Sequence, residues 1–450
     1  MRLHRSITTL PLAFILLAGG VQVSTAPAGG QTAVATAPAK LSDGIALAKP
    51  ESVGFSSESL KDLDTGMQAI VDAKHLAGVV TLVARHGKVV QHKAYGLQDV
   101  ATQTPMQLDT IVRIYSMTKP IAGAAMMMLY EEGKWQPGDP IAKHIPEFAN
   151  LKVFTGMDAN GQPILVAPNH PPTMGELMSH NAGFTYGLFG NSPVDKMYQA
   201  ENPLDAPSLQ AFIDKMAKLP LLYQPGEKWV YSVSVDIQGY LVQKLSGKSF
   251  PDFLRDRLFT PLGMKDTGFL VPEAKLSRVS TIYAWDAAGR ALKGSPHDPG
   301  ISKMPGLPSG GGGLYSTAAD YFQFAQMMLN GGELNGKRYL KSSTVAMMRT
   351  NVLNDQTLNS KSGIGPVHLS PELGFGYDFA VMRDPVALKS PLGKGSYWWW
   401  GIAGTWFFND PANDLLFIGM IQRRGGAPGA ANHEDVAKAA VYKALVDPAK

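Results

Sequence analysis

The chain has 450 residues, of which 45% are hydrophobic and 17% are charged, a composition typical of a globular enzyme. The formal net charge is +4, and the basic residues form no stripe interleaved with aromatic residues, so the sequence gives no indication of nucleic-acid binding. Cysteine is absent, which excludes disulfides, thiol nucleophiles, cysteine-based metal sites and lipid attachment to a cysteine.

The N-terminal residues have the pattern of a secretory signal peptide. Two arginines precede an apolar run over residues 10–23, which is too short to span a bilayer comfortably, and Ala26-Pro27-Ala28 fits a small-x-small cleavage site. We therefore predict a signal peptide over 1–28 and a flexible linker over 29–50, which is rich in alanine, proline, glycine and threonine. The protein is expected to be exported, to the periplasm or the medium, without stable membrane insertion; a membrane anchor is the alternative interpretation.

From about residue 51, helical and extended patterns follow one another. Residues 56–75 place Leu60, Leu63, Met67 and Ile70 on one helical face. Further helices are predicted near 117–133, 174–180, 208–218, 236–247, 250–258, 318–330 and 432–446, and strands near 78–84, 89–95, 153–154, 164–166, 375–382, 397–400, 404–409 and 414–421.

This order of elements predicts an α/β (α+β) fold. Strands near both ends with helices between them indicate one mixed, mainly antiparallel sheet flanked by helices, with a mostly helical region inserted. The predicted domain spans 51–445. Its α/β part lies at about 51–120 and 290–445, and its helical part at about 121–289.

The main chemical signal is the segment Ser116-Met117-Thr118-Lys119-Pro120. At the start of a helix, residues three apart share a face, so the Lys119 amine can approach the Ser116 hydroxyl. Such a helix start also presents free backbone N–H groups and a positive dipole end to a developing oxyanion. Because a serine needs a neighbouring base to become a good nucleophile, the segment predicts a serine–lysine pair. The spacing alone also fits an exposed helix start with a solvated lysine.

The segment resembles the Ser-x-x-Lys box of the class C β-lactamase-like superfamily, which includes family VIII carboxylesterases and penicillin-binding proteins. The resemblance extends over most of residues 52–445, because further landmarks follow in the superfamily's order and approximate spacing. These landmarks are Glu132-Gly133, Asp139-Pro140, Pro146-Glu147-Phe148, and the segments 176–183 (ELMSHNAG), 225–232 (PGEKWVYS), 261–267 (PLGMKDT) and 312–317 (GGLYST). The resemblance implies a β-lactamase/penicillin-binding-protein-like fold and a serine hydrolase.

The resemblance also implies the other site residues. Tyr231 stands at the second catalytic motif as a proton shuttle, because a nearby lysine cation favours the phenolate form of a tyrosine. At the third motif, alignment on Gly401 places Trp399 at the position of the β-lactamase lysine, and strand alternation points Trp399 into the cleft while Trp398 and Trp400 pack against helices. Gly401 leaves room for substrate beside the backbone. The N–H groups of Ser116 and Ile402 form the implied oxyanion hole. A core position for all three tryptophans is the alternative.

Two departures from class C β-lactamases concern substrate binding. Val233 stands at the asparagine position of the second motif, and Trp399 replaces the lysine of the third. A site that has lost these polar groups cannot restore their hydrogen bonds with apolar side chains. We therefore predict a carboxylesterase that cleaves esters of short or medium acyl chains through a Ser116 acyl-enzyme.

Other classes of function remain as alternatives. The same catalytic set fits a β-lactamase or a D-alanyl carboxypeptidase, and the fold also fits a non-catalytic binding or sensor module. No His-Glu-x-x-His motif occurs, and His433-Glu434 stands alone, so neither a metal ion nor a cofactor is predicted. The expected partner is a small-molecule ester, and no oligomeric state is predicted.

Overall fold

The computed structural model describes residues 44–448 except 287–288, 290, 360–363 and 427–431. The predicted signal peptide over 1–28, and all of the predicted linker before residue 44, lie outside the described residues. The described residues belong to one compact unit. No helix in this part of the chain is long and apolar enough to cross a bilayer.

Helices make up most of the middle of the chain. The α-helices of the described residues are α1 (Ser57–Asp72), α2 (Thr118–Glu131), α3 (Met174–Met178), α4 (Pro193–Glu201), α5 (Leu209–Met216), α6 (Ser234–Ser246), α7 (Phe250–Leu254), α8 (Thr260–Leu262), α9 (Ala318–Leu329), α10 (Ser342–Met348), α11 (Asp355–Asn359) and α12 (His433–Lys443). The stretch from α2 to α8 contains a single hairpin and otherwise helices and loops. The predicted insertion of a mostly helical region is therefore present.

Strands concentrate towards the two ends of the chain. They are β1 (Gly78–Arg85), β2 (Lys88–Asp99), β3 (Thr104–Pro105), β4 (Val112–Arg113), β5 (Val153–Met157), β6 (Pro163–Val166), β7 (Ile282–Trp285), β8 (Leu292–Ser295), β9 (Tyr315–Ser316), β10 (Glu333–Leu334), β11 (Lys337–Arg338), β12 (Leu373–Phe375), β13 (Ala380–Met382), β14 (Tyr397–Trp400), β15 (Trp406–Asp410), β16 (Leu415–Met420) and β17 (Arg423–Arg424). The main sheet has eight strands in the order β12-β13-β14-β15-β16-β1-β2-β3, and its neighbouring strands pair antiparallel. This arrangement confirms the predicted fold class.

Both faces of the main sheet are covered by helices. Helices α1 and α12 pack together on one face, where the apolar face of α1 buries the predicted leucines and methionine. Helix α9 packs on β16 and β1 on the other face, and α2 lies against α6. Side chains of β15 alternate between the two layers, because Phe407 belongs to one cluster and Trp406 and Phe408 to the other. Because helices cover both faces of the sheet, β1 is buried along its whole length.

Helix α2 is the most enclosed helix near the site. All twelve residues from Thr118 to Leu129 are buried, including Lys119. A helix that is apolar on every side belongs in a protein core, and the run of alanines and methionines satisfies that condition. Pro120 is tolerated because it lies in the first turn, where its missing N–H has no helical acceptor. The core therefore holds the start of α2 rigidly.

Candidate active site

Ser116 lies in a single 3₁₀ turn, Tyr115–Met117, that leads directly into α2. The chain reaches this turn from β4, which pairs with β9. Tyr115 adopts a φ of +44°, a left-handed conformation that is uncommon for a bulky residue and is found preferentially at functional sites. Because Ser116 is the second residue of the turn, its backbone N–H has no acceptor within the helix. The nucleophile candidate is thus presented on a constrained turn with a free donor.

The Lys119 amine has three oxygen neighbours. Its Nζ lies 3.2 Å from the Ser116 hydroxyl, 3.0 Å from the Tyr186 hydroxyl and 2.6 Å from the Gly311 carbonyl. The side chain is 1% exposed. A neutral amine has two N–H donors and one lone pair. In the neutral form, with its donors directed to Gly311 and Tyr186, the lone pair would face Ser116 and accept the hydroxyl proton.

A buried carboxylate completes this network behind the lysine. Asp236, in the first turn of α6, accepts hydrogen bonds from the Ser309 hydroxyl and from the Gly311 N–H at 3.0 Å, and the Tyr186 hydroxyl donates to it at 3.4 Å. Burial raises the pKa of Asp236, although the Lys119 charge acts in the opposite direction. Burial, together with Asp236, raises the pKa of Tyr186 well above its ordinary value. Tyr186 is therefore a neutral phenol that connects the amine to the carboxyl group.

Glycine is required at position 311 because the backbone passes so close to this network. A Cβ atom there would lie 2.5 Å from both an Asp236 oxygen and the Tyr186 hydroxyl. Contacts below 3.0 Å are sterically unacceptable, so any side chain would displace one of the two groups. The glycine-rich segment thus gives Lys119 a carbonyl acceptor at short range.

Tyr231 approaches the lysine with its ring. Lys119 Nζ lies 4.6 Å from the centre of the Tyr231 ring, a cation–π distance. The Tyr231 hydroxyl accepts a hydrogen bond from Trp399 Nε1 at 3.2 Å. The phenol whose hydroxyl contacts the amine is Tyr186, so the structure adds a second tyrosine to the expected set. The Tyr231 proton is not used in the bond to Trp399, and it remains available for a reacting group.

The third motif lies in β14 and the turn that follows. Trp399 is 1% exposed and contacts Tyr231, with 5.4 Å between ring centres. Trp400, which was predicted to pack against helices, is half-buried, stacks on Trp399 at 4.7 Å and also lines the cleft. Trp398 is half-buried against the two core clusters. The aromatic wall of the site therefore contains two adjacent indoles.

Gly401 and Ile402 begin a tight turn beside the nucleophile. The Gly404 N–H bonds to the Gly401 carbonyl at 2.8 Å, and Ile402 is 56% exposed at the cleft. A Cβ at position 401 would lie 2.4 Å from the Ile114 carbonyl oxygen. The need for glycine thus comes from Ile114, which lies between β4 and the turn that carries Ser116, whereas the sequence suggested an approaching substrate. The turn brings the Ile402 backbone to the cleft that Ser116 lines.

Val233 occupies a different place from the one expected. It is 1% exposed, immediately precedes α6 and packs in the main core. It does not belong to the lining of the cleft. The loss of asparagine at this position therefore removes a polar group without adding an apolar contact surface for substrate.

Several of these residues, among them Ser116, Trp400 and Ile402, line a cavity of about 370 Å³. Ser116 and the two tyrosines form its inner wall together with Trp399. Its mouth carries exposed apolar side chains, namely Leu188, Phe189, Leu204 and Ile402. A cleft of this size accepts a small ligand, and its inner wall presents the candidate nucleophile and aromatic side chains, with the buried Lys119 amine 3.2 Å from the Ser116 hydroxyl.

The comparison with known families agrees with this geometry. Residues 63–442 match the family described as Beta-lactamase. The chain belongs to the beta-lactamase family of serine hydrolases. This membership confirms the resemblance that the motifs indicated.

Relatives within the family include esterases. The chain is 34% identical over 366 residues to Protein Rv1367c of Mycobacterium tuberculosis (strain ATCC 25618 / H37Rv), covering 79% of this chain and 88% of the relative. It is 28% identical over 379 residues to Esterase EstB of Burkholderia gladioli, with the same two coverages. The solved structure of EstCE1, a hydrolase with promiscuous acyltransferase activity, superposes with a TM-score of 0.70 at 25% identity over 86% of this chain and 99% of that chain.

Sequence reasoning missed Tyr186 and Asp236. Tyr186 comes five residues after Asn181 in one landmark segment, and Asp236 comes five residues after Tyr231 in another. Both therefore stood beside recognised motifs, but neither has a spacing that predicts contact with Lys119. Within the described residues, His, Asp and Glu side chains form no group of three that could hold a metal ion.

Proposed function

We propose that this serine hydrolase is a carboxylesterase for esters of short or medium acyl chains. The observation that carries the proposal is the pairing of Ser116 and Lys119 at 3.2 Å within a cleft walled by aromatic side chains. At the third motif this wall presents an indole N–H where β-lactamases present an ammonium group. The names of EstB and EstCE1, an esterase and a hydrolase, support the same reaction class.

Acylation begins when Ser116 attacks the ester carbonyl. The neutral Lys119 amine takes the hydroxyl proton, and the resulting ammonium keeps its bonds to Gly311 and Tyr186. The N–H groups of Ser116 and Ile402 stabilise the negative oxygen of the tetrahedral intermediate. Collapse of the intermediate breaks the bond to the alcohol oxygen.

Proton return completes the cycle. The Tyr231 hydroxyl donates its proton to the leaving alkoxide. The Lys119 ammonium, which lies over the Tyr231 ring, then shifts towards the phenol oxygen and returns a proton to it, which restores the neutral amine. Water then loses a proton to Lys119 and attacks the acyl-enzyme, and Ser116 leaves with that proton. The net reaction consumes one ester and one water and yields one acid and one alcohol.

The test compares two substrate classes with three variants. Purified protein should hydrolyse 4-nitrophenyl butyrate with a kcat/KM at least about 100-fold above that for a chromogenic cephalosporin, since the polar β-lactam contacts are missing. Ser116→Ala and Lys119→Ala should each lower ester kcat/KM by about 10³-fold or more, and Tyr231→Phe by about 10²-fold. Lys61→Ala, on the exposed side of α1, serves as the control.

Three results would contradict the proposal. A preference for the cephalosporin would indicate a β-lactamase or D-alanyl carboxypeptidase. Full ester activity in Lys119→Ala would show that Lys119 is not the base. Failure of an activated phosphonate to label Ser116 in the wild-type protein would indicate a non-catalytic module.

A further inference from the structure

Two arginines contact the tyrosine that precedes the nucleophile. The guanidinium carbons of Arg113 and Arg424 lie 4.8 and 5.4 Å from the centre of the Tyr115 ring. Arg424 also donates a hydrogen bond to the Tyr115 hydroxyl at 2.7 Å. Arg113 ends β4 and Arg424 ends β17, so separate elements bring the two cations to one ring.

Neither cation has a carboxylate partner in the part of the chain that the structure describes. Among the described residues, no aspartate or glutamate forms an ion pair with Arg113 or Arg424. The Nε of Arg113 is buried and has no hydrogen-bond acceptor there. A buried donor without an acceptor is unfavourable, and two like charges beside one ring repel each other. The two arginines are therefore arranged as a site for an anion that the described protein does not supply.

The arginine pair borders the active-site cleft. Both arginines and Tyr115 line the cavity that contains Ser116, and all three also line an adjoining groove of about 210 Å³. The groove contains one carboxylate, that of Asp298, so the three charged groups sum to a formal +1. This balance suits a monoanion, and a guanidinium presents the planar donor pair that a carboxylate accepts.

We propose that Arg113 and Arg424 form a subsite for a carboxylate carried by the ester substrate itself. The inference rests on the proposed esterase function and narrows its substrate class to half-esters, which hold an ester carbonyl and a free carboxylate in one molecule. Binding places the carboxylate on the guanidinium pair, beside Tyr115, the residue that precedes Ser116. The exposed apolar side chains at the cleft mouth contact the carbon chain or the alcohol group.

A matched pair of esters tests the subsite. The mono-4-nitrophenyl ester of adipic acid carries a free carboxylate, and 4-nitrophenyl 6-methylheptanoate replaces that group with a neutral isopropyl group of similar shape. The ratio of kcat/KM for the anionic ester to that for the neutral ester should fall about tenfold in Arg424→Gln and further in Arg113→Gln/Arg424→Gln. The same ratio should fall in wild type between 0.05 and 0.5 M NaCl. Arg257→Gln, away from the cleft, is the matched control and should keep the wild-type ratio.

Binding without turnover separates this proposal from the esterase function. A monoamide of adipic acid is not readily cleaved, and its Kd by calorimetry should rise about tenfold in Arg424→Gln. Equal ratios in wild type and the double variant, or equal Kd values, would overturn the subsite whether or not esters are hydrolysed. A roughly tenfold difference in Kd between wild type and Arg424→Gln, with no hydrolysis of either ester, would support the subsite and contradict the esterase function.

Discussion

Tyr186 joins the amine of Lys119 to the carboxyl group of Asp236 through one phenol oxygen. The two distances, 3.0 and 3.4 Å, fit a phenol that accepts from the amine and donates to the carboxyl group. An amine whose donors are fixed in this way keeps its lone pair directed at Ser116. We infer that Tyr186 orients the proposed base, Lys119, and needs no proton transfer of its own.

This role can be tested by removing the hydroxyl. Tyr186→Phe should lower ester kcat about 10- to 100-fold, because Lys119 loses one of its acceptors and can turn away from the serine. KM should change little, and the pH profile of kcat should shift. Tyr198→Phe, at a buried tyrosine outside the cleft, is the control. Wild-type kcat with an unchanged pH profile in Tyr186→Phe would show that the network does not orient the base.

Residue-level prediction from sequence succeeded where contacts are local. Ser116 and Lys119 are three positions apart, so helical geometry alone predicted their approach. Tyr186 is 67 positions from Lys119, and its contact depends on how the loop after α3 folds against α2. Val233 was expected at the substrate because a related family binds ligand there, but the start of α6 turns this side chain into the core.

The turn after β14 fixes the distance between the third motif and the nucleophile turn. Gly401 bonds through its N–H to the Thr405 carbonyl at 2.7 Å, and its α-carbon faces the Ile114 carbonyl. The end of a sheet strand thereby touches the residue that begins the approach to Ser116. Any change that pushes the two apart also moves the backbone of Ile402, whose N–H is the proposed partner of the Ser116 N–H in the oxyanion hole.

Gly401→Ala should therefore damage activity more than stability. The added methyl would lie 2.4 Å from the Ile114 oxygen, and relief of that overlap should cost about 1–3 kcal/mol of unfolding free energy. Ester kcat should fall at least about tenfold as the two proposed oxyanion donors separate. Urea unfolding and steady-state kinetics measure the two effects. Gly138→Ala is the control, since a Cβ there meets nothing within 4 Å, and equal behaviour of the two variants would contradict this account.

Element-level prediction depended on periodicity. The amphipathic pattern predicted α1 and its buried face closely, because that helix packs on one side. Strand alternation placed Trp399 at the cleft, yet it did not predict that Trp400 lines the cleft as well. Alternation holds while the strand continues, and β14 ends at Trp400, where the chain turns. Such end effects depend on tertiary contacts that a local pattern does not contain.

The whole molecule has a buried histidine that links its stability to pH. His433 begins α12, is 7% exposed and packs edge-on against Trp406 with 4.8 Å between ring centres. Burial, with a contribution from the Arg423 charge, lowers the pKa of His433 to about 4. The unfolded chain, with an ordinary histidine pKa near 6.5, therefore binds more protons between pH 6.5 and pH 4. The contribution of His433 to the free energy of unfolding therefore has its full value above pH 6.5. It is lost as the pH falls from 6.5 to 4.

His433→Gln isolates this contribution. The difference in unfolding free energy between wild type and the variant should shrink by at most about 3 kcal/mol from pH 7.5 to pH 4, because glutamine does not titrate. Urea unfolding at four pH values measures it, and the shared contributions of other titrating groups cancel in the difference. Asp320, whose pKa burial raises to about 6, is one such group with the opposite sign. A difference that is constant with pH would contradict the assignment.

At the scale of the whole molecule, the order of strands and helices was enough to predict a sheet with an inserted helical region. The strand order β16-β1-β2 within the sheet, which joins the two ends of the chain, could not be read from local patterns. That order brings α1 and α12 to one face and leaves α2 on the other, with Ser116 at its start.

The complete burial of α2 has a practical consequence for engineering. A substitution anywhere from Thr118 to Leu129 disturbs close-packed neighbours and moves the helix that carries the base. Libraries that seek a new substrate range should therefore leave this helix intact and randomise Leu188, Phe189 and Leu204, whose side chains are exposed. Substitutions at these three entrance residues can change which substrates enter the cleft, while the positions of Ser116 and Lys119 stay the same.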